Sequence, residues 1–313
     1  MHDLLIIGGG PAGLAAAAYG LGKQLDVVLL CADFGGKASA RQQFADQVEP
    51  EHLVGEESFQ ALRQTVAAQP HQIVEDYVIG VFKRAQLFHV LTEHATLHAP
   101  SMIIATGARP TQLGIAHENE LIGHGLSYSI ATHAHLAAGH TVAVVGSTAR
   151  ALRGVAELLH SKAHVVLIAP YPGALNSALG QRLRADPRVD LLEGYTVTEV
   201  ESSAGEVHAI QVARSGHMQR LPVHAVFVDL GLVPNSQMVR QLVQLDDHGF
   251  IVVDDHHQTS LPGLFAAGDV TSAFCEQILI AIGAGARAAQ SAYEYILAQR
   301  LELESRSVGT RQP

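Results

Sequence analysis

Cysteine is scarce in this chain, with only Cys31 and Cys275 among 313 residues. Two thiols cannot build a disulfide framework, and so low a content reads as intracellular, with the cytoplasm as the expected location. Basic residues are also in short supply: 20 Lys and Arg stand against 30 Asp and Glu, for a net charge of −10. No Lys/Arg cluster is dense enough to face a phosphate backbone, which argues against a nucleic-acid partner. There is no low-complexity tract or block of like charge, so disorder is not expected. The segment from Leu4 to Gly22 is almost uncharged. It has no basic flank, however, and Gly8-Gly9-Gly10-Pro11 interrupts it, so neither a signal peptide nor a membrane span is expected.

What is present is an ordinary globular composition, 48% hydrophobic and 16% charged, in a chain long enough for two domains. Asp3 to Ile7 is a short apolar run that fits a buried parallel strand. It leads into Gly8-x-Gly10-x-x-Gly13, with Pro11 and Ala12 inside the loop, and then into an Ala-rich helix reaching about Gly22. Gly8 permits the tight turn, Gly10 lets a pyrophosphate approach the backbone, and Gly13 lets helix and strand pack closely. The helix N-terminus adds N–H donors and the positive end of a dipole. Strand, glycine loop and helix in this order form a dinucleotide-binding signature. A second strand, Asp26 to Leu30, ends where an acid commonly holds a ribose. Cys31 takes that place here; Asp33, two residues on, is either the ribose ligand or a plain loop carboxylate, and Gly36 follows in the same loop.

Two further apolar runs end in turns. Ser101 to Ala105 enters Thr106-Gly107-Ala108-Arg109-Pro110, and Thr259 to Ala267 delivers Gly268-Asp269. With Ala105-Thr106-Gly107, Gly231 to Asn235 and Gly268-Asp269 in this order, the chain resembles the thioredoxin-reductase-like flavoproteins, the small two-domain branch of the pyridine-nucleotide disulfide oxidoreductases. The resemblance covers nearly the whole chain. It implies an α/β protein of two Rossmann-like three-layer nucleotide-binding domains, with the FAD domain discontinuous: residues 1–112 and 235–313, interrupted by a middle domain of 113–234. The middle domain would contain a strand at Thr141–Val145, a helix from about Ala149 to His160 and a strand at His164–Ile168, with joints near Arg109-Pro110 and Val233-Pro234. FAD is the implied cofactor. Its pyrophosphate would lie on the first glycine loop, its ribitol on Asp269, and its ring against the backbone of Glu276, Gln277 and Ile278 at the start of the last helix. A homodimer is implied in the same way.

Against this resemblance the chain shows two losses. Where the family reads like SYCATCDG, this chain reads Ser127-Tyr128-Ser129-Ile130-Ala131-Thr132-His133, with hydroxyls at both thiol positions. Hydroxyls cannot cycle between thiol and disulfide, so dithiol exchange through that motif is excluded. Cys31 is expected near the adenine end of the cofactor and Cys275 near the flavin, too far apart to replace it. The middle glycine loop reads Gly146-Ser147-Thr148-Ala149-Arg150-Ala151, and Thr148 adds a side chain where a pyrophosphate needs bare backbone. The family's 2′-phosphate-gripping HRR run is replaced by Ala169-Pro170-Tyr171, without either guanidinium. NADPH and NADH are therefore not expected at that loop.

Two readings of the middle domain stay open. Gly146, Ser147, Thr148, Arg150 and Tyr171 form a second nucleotide or anion site, for example for a second FAD stacked on Tyr171 or Tyr195; alternatively, the pocket is vestigial and Arg150 and Arg153 are a solvated helix face. His133 stands where the family has an acid and is the candidate proton-transfer residue. His133-x-His135 and His256-His257 lack a surrounding ligand set, so no metal site is expected. The expected function is an FAD-dependent oxidoreductase with a non-nicotinamide donor: an electron-carrier protein such as ferredoxin or flavodoxin, a small reductant or a second flavin. The alternatives are a non-catalytic flavin-binding sensor and an NAD(P)H-dependent ferredoxin or flavin reductase with an atypical nucleotide loop.

Overall fold

Strand Leu4–Ile7 is buried on both faces, and its residues alternate between two cores. Leu4 and Ile6 join a core of helices, while Leu5 and Ile7 join a core shared with a β-meander. A two-residue side-chain period allows nothing else in a strand covered on both sides. The computed structural model describes residues 1–39, 54–272 and 276–309. Contacts divide the chain into two units: Met1–Ser39, Val54–Arg109 and Val233–Pro313 form the first, and the second is built on Pro110–Leu232.

The first unit holds a five-stranded parallel sheet in the order Leu264–Ala266, Ser101–Ile104, Leu4–Ile7, Val27–Cys31, Ile73–Glu75. Helices Pro11–Gly22 and Glu56–Ala67 and the last helix, Ile278–Gly309, cover one face. The antiparallel strands Val78–Arg84, Leu87–Thr92 and Thr96–Ala99 cover the other through Phe88, Val90 and Ala99.

The second unit repeats this plan. Its parallel sheet runs Val189–Glu193, His164–Ala169, Thr141–Val145, Ala225–Val228, Leu126–Ser127. Helices Ala149–His160 and Ala178–Ala185 pack on Val142 and Val144, while the meander Thr196–Ser203, Glu206–Arg214, His217–Pro222 packs on Ala143 and Val145. Each unit is thus a three-layer α/β fold. The two connecting strands, Ala108–Pro110 and Leu232–Pro234, pair with each other. Among the described residues, no helix is long and apolar enough to cross a membrane.

Candidate functional site

The first glycine loop is shaped by two close approaches. Gly8 has φ +119°, and a Cβ there would lie 2.2 Å from the Ala105 carbonyl oxygen; at Gly13 it would lie 1.8 Å from the Gly8 oxygen. Neither position admits a side chain. Gly10, between them, faces open space, with nothing within 4 Å of a Cβ built on it. It is the extended N-cap of helix Pro11–Gly22, which has Pro11 in its first turn, no side-chain cap and no acid there. The amide end of the helix therefore opens onto an uncovered glycine, the arrangement that receives an anion.

The other motifs converge on this loop. The Ala105 N–H donates to Ile7, fixing the Ala105-Thr106-Gly107 turn beside Gly8. Thr106 Oγ1 donates to the Asn235 carbonyl (2.7 Å), and Asn235 Nδ2 donates back to the Thr106 carbonyl (2.9 Å). The Asn235 N–H adds a bond to Gly107, so the returning chain is latched where the first unit resumes. Gly268 packs against Ala12, and Asp269 follows it with its side chain 14% exposed, ion-paired with Lys37 at 2.6 Å. Gly36 lies beside Gly10, whereas the Asp33 side chain is exposed and its backbone carbonyl borders Gly9. Glu276, Gln277 and Ile278 are half-buried, and the Gln277 carbonyl accepts from Ala281 as the last helix begins. Cys31 is buried, and desolvation, then Glu75 and Asp33, push its thiol up to about 11. It is held as a neutral thiol and is a poor redox nucleophile. Cys275 lies outside the described residues.

In the middle unit the loop after strand Thr141–Val145 is differently made. Ser147 is fully buried; its Oγ donates to the Tyr171 carbonyl (2.7 Å), and its own carbonyl accepts from the Ala174 N–H (2.7 Å). Thr148 caps helix Ala149–His160 by accepting from the Ala151 N–H (2.9 Å), and it donates to Asp229 (3.2 Å). Arg150 is not part of a solvated helix face. Its Nε and Nη2 grip the two Asp229 oxygens, each at 2.9 Å, with Asp229 only 5% exposed. A bidentate guanidinium–carboxylate pair is a geometrically demanding bond, and it engages the cation expected to face an anion. Tyr195, one of the two candidate stacking surfaces, lies under the Arg214 guanidinium, 5.9 Å from its ring centroid. The other, Tyr171, is 44% exposed.

The segment at the family's thiol positions forms a hydroxyl and imidazole cluster. Ser129 Oγ donates to Thr132 Oγ1 at 2.7 Å. His133 Nδ1 lies 2.9 Å from the Ser129 carbonyl and 2.8 Å from Ser127 Oγ. A carbonyl only accepts, so Nδ1 donates its hydrogen to Ser129. Ser127 is buried, and its Oγ also accepts from the Ser129 N–H (3.1 Å). The segment is anchored by Tyr128, whose hydroxyl donates to buried Glu118; that carboxylate also accepts from the Leu113 (2.7 Å) and Gly114 (2.8 Å) N–H groups. Burial and then Glu118 push the Tyr128 phenol well above its ordinary range.

Sequence reasoning passed over Lys37, Ser127 and Asp229. Asp229 directly follows strand Ala225–Val228 beside the glycine loop, the one position signal available; nothing local marks Lys37 or Ser127. Among the described residues, one group of three metal-type ligands, Asp76, Glu93 and His94, has its ligand atoms within 4.8 Å of one another. Neither His133 with His135 nor His256 with His257 belongs to it.

Two three-layer α/β units, one interrupting the other in sequence, define a two-domain nucleotide-binding oxidoreductase fold. The chain matches the Pyridine nucleotide-disulphide oxidoreductase family over residues 2–293 and belongs to it. It is 31% identical over 309 residues to an alkyl hydroperoxide reductase protein of Xanthomonas campestris pv. phaseoli, covering 94% of this chain and 57% of that one. It is 30% identical over 306 residues to a Bacillus subtilis NADH dehydrogenase, covering 94% and 58%. The chain therefore spans less than two thirds of the length of these curated relatives. Among solved structures, thioredoxin reductase from Streptococcus pyogenes superposes with a TM-score of 0.83 at 28% identity, covering 95% of this chain and 99% of that one. The fold is thus of the thioredoxin reductase type, and FAD is the cofactor that goes with it.

Proposed function

We propose that this chain is an FAD-dependent oxidoreductase that exchanges no thiols through Ser127–His133 and takes no electrons from NAD(P)H at its middle loop. The observation that carries the reading is the closure of that loop on itself. Ser147 is spent on the Tyr171–Ala174 turn, Thr148 on its own helix and Asp229, and Arg150 on Asp229. A pyrophosphate arriving there meets a threonine side chain and a guanidinium already neutralised.

The first unit fits FAD. The open Gly10 and the uncapped amides of helix Pro11–Gly22 receive the diphosphate, with Gly8, Ala12 and Gly13 setting the backbone. Asp269 accepts from a ribitol hydroxyl; Asp33 serves the ribose; Gly36 and Ala105–Gly107 wall the cleft; Glu276, Gln277 and Ile278 present backbone to the ring. FAD, when bound, supplies reversible electron transfer. His133 exchanges a proton with the electron acceptor through Nε2, its ring held by the bond from Nδ1 to Ser129. Electrons enter from a carrier protein of the ferredoxin or flavodoxin kind or from a small reductant, and the engaged Arg150 and Tyr195 count against a second FAD in the middle unit. The chain works as a cytoplasmic homodimer.

The test is to mix anaerobic holoprotein with excess NADPH, then NADH, and follow the long-wavelength flavin band. The band is expected to persist, and to vanish with dithionite. A second reading, NADH as donor, is favoured by the likeness to a relative named NADH dehydrogenase. Rapid bleaching by NADH would establish it and discard the first.

A further inference from the structure

The ion pair between Lys37 and Asp269 joins residues 232 apart in the sequence, yet it does little for stability. Lys37 is 51% exposed, and a pair so open to solvent is largely screened. Its location is more informative. Lys37 is the second residue of the 3-10 turn Gly36–Ser39, whose first residue abuts the uncovered Gly10: a Cβ on Gly36 would lie 3.2 Å from the Gly10 Cα. From there its ammonium reaches Asp269 at 2.6 Å. Lys37 thus bridges the open loop and the carboxylate.

Charge makes such a bridge necessary. The acidic side chains of this loop region include Asp33, whose backbone borders Gly9, Glu75, whose charge acts on the neighbouring Cys31, and Asp269, which follows Gly268 where it packs on Ala12, in a chain of net charge −10. A diphosphate brings two more negative charges to the same place. The helix amides answer part of that charge, and a lysine ammonium is a compact, mobile cation suited to the remainder.

We propose that Lys37 is a cationic contact for the FAD diphosphate, holding Asp269 in position beforehand and turning to the phosphates once a ribitol hydroxyl occupies that carboxylate. The inference rests on the reading that FAD binds the first glycine loop. Among the described residues, the Lys37 ammonium donates to the Asp269 carboxylate, and the residue before it, Gly36, lies beside Gly10 at the start of helix Pro11–Gly22. A cation that serves a phosphate adds its charge to the salt dependence of FAD and ADP binding alike, whereas one that only holds Asp269 leaves ADP binding unchanged.

The experiment compares the full-length wild type with Lys37→Gln and Lys37→Arg. FAD release from holoprotein and rebinding to the stripped protein are followed by flavin fluorescence at low and high salt. ADP, which carries the diphosphate without the ribitol, is the competitor. Lys37→Gln is expected to weaken both FAD and ADP about tenfold at low salt, to flatten the salt dependence and to leave the melting temperature of the stripped protein unchanged, with Lys37→Arg restoring most of the affinity. Unchanged FAD affinity and salt slope, or a loss confined to FAD with ADP unaffected, would overturn the proposal. A wild type that binds no FAD overturns instead the reading beneath it.

Discussion

The two glycine loops of this chain have the same local plan and opposite fates. Each follows a buried parallel strand, opens a 12-residue helix and begins with a glycine in a left-handed conformation: Gly8 at φ +119°, Gly146 at φ +139°. In the first, Gly10 is bare and the helix start has no side-chain cap. In the second, Ser147 and Thr148 bring hydroxyls that bond to the protein itself, and Asp229 draws in Arg150. A helix N-terminus binds an anion only while its donors remain available. Two side chains and one carboxylate suffice to turn such a loop inward.

The sharpest break of this comparison is Gly13→Ala. The new methyl would sit 1.8 Å from the Gly8 carbonyl, and backbone cannot yield as a side chain can, so a loss of roughly 3 kcal/mol is expected in urea unfolding. Gly10→Ala is its counterpart: φ is −77° and space is open, so stability should move by no more than about 0.5 kcal/mol while FAD affinity falls. Equal affinity in Gly10→Ala would mean that the diphosphate does not lie there.

In the middle unit, Asp229→Ala leaves the Arg150 guanidinium without its carboxylate and Thr148 without its acceptor. Breaking a buried pair is costly, and with Arg150 26% exposed the expected loss is about 2 kcal/mol. A neutral result would show that the loop is not held by this pair.

A fourth prediction concerns the hydroxyl bridge. Ser129 Oγ and Thr132 Oγ1 are 2.7 Å apart, so the double variant Ser129→Cys, Thr132→Cys should close a disulfide in air and lose two thiols by titration with Ellman's reagent. In the chain-entropy account so small a ring stabilises by about 2 kcal/mol or less, with strain reducing it further. Two persistently free thiols would mean that the segment does not hold the geometry that its hydrogen bonds describe.

The smallest effect is acid sensitivity in the meander of the first unit. Bonds from Thr92 foremost, then His94 and the Tyr77 and His94 N–H groups, hold the Asp76 carboxyl down at about 2, from an ordinary 3.8. A folded-state value below the unfolded one gives stability that is present above pH 3.8 and lost as pH falls toward 2. Asp76→Asn should flatten that acid limb in chemical unfolding between pH 5 and 2 by lowering stability above pH 3.8 while leaving it nearly unchanged near pH 2; an identical acid limb would remove Asp76 from the account.

The amino-acid sequence alone determined the three-layer α/β class, the first glycine loop with the motifs that gather round it, and both departures from the family pattern. These are local matters. A strand of consecutive apolar residues, a glycine that turns the chain and a serine in place of a cysteine are decided by neighbours within a few positions. What only the tertiary structure decided is how the polar groups pair across the chain. Arg150 finds Asp229 at a distance of 79 residues, and Lys37 finds Asp269 at 232, so no spacing rule announces either. Even the short-range cluster of His133, Ser127 and Ser129 needed the fold, because the tautomer depends on which oxygen comes within 3 Å of Nδ1. Arg150, which as sequence is an anion ligand or a solvated side chain, is ion-paired with Asp229 once the fold places that carboxylate beside it. The identity of a side chain states what it is able to bond. The packing of sheets and helices, driven mostly by apolar burial, chooses which partner it meets.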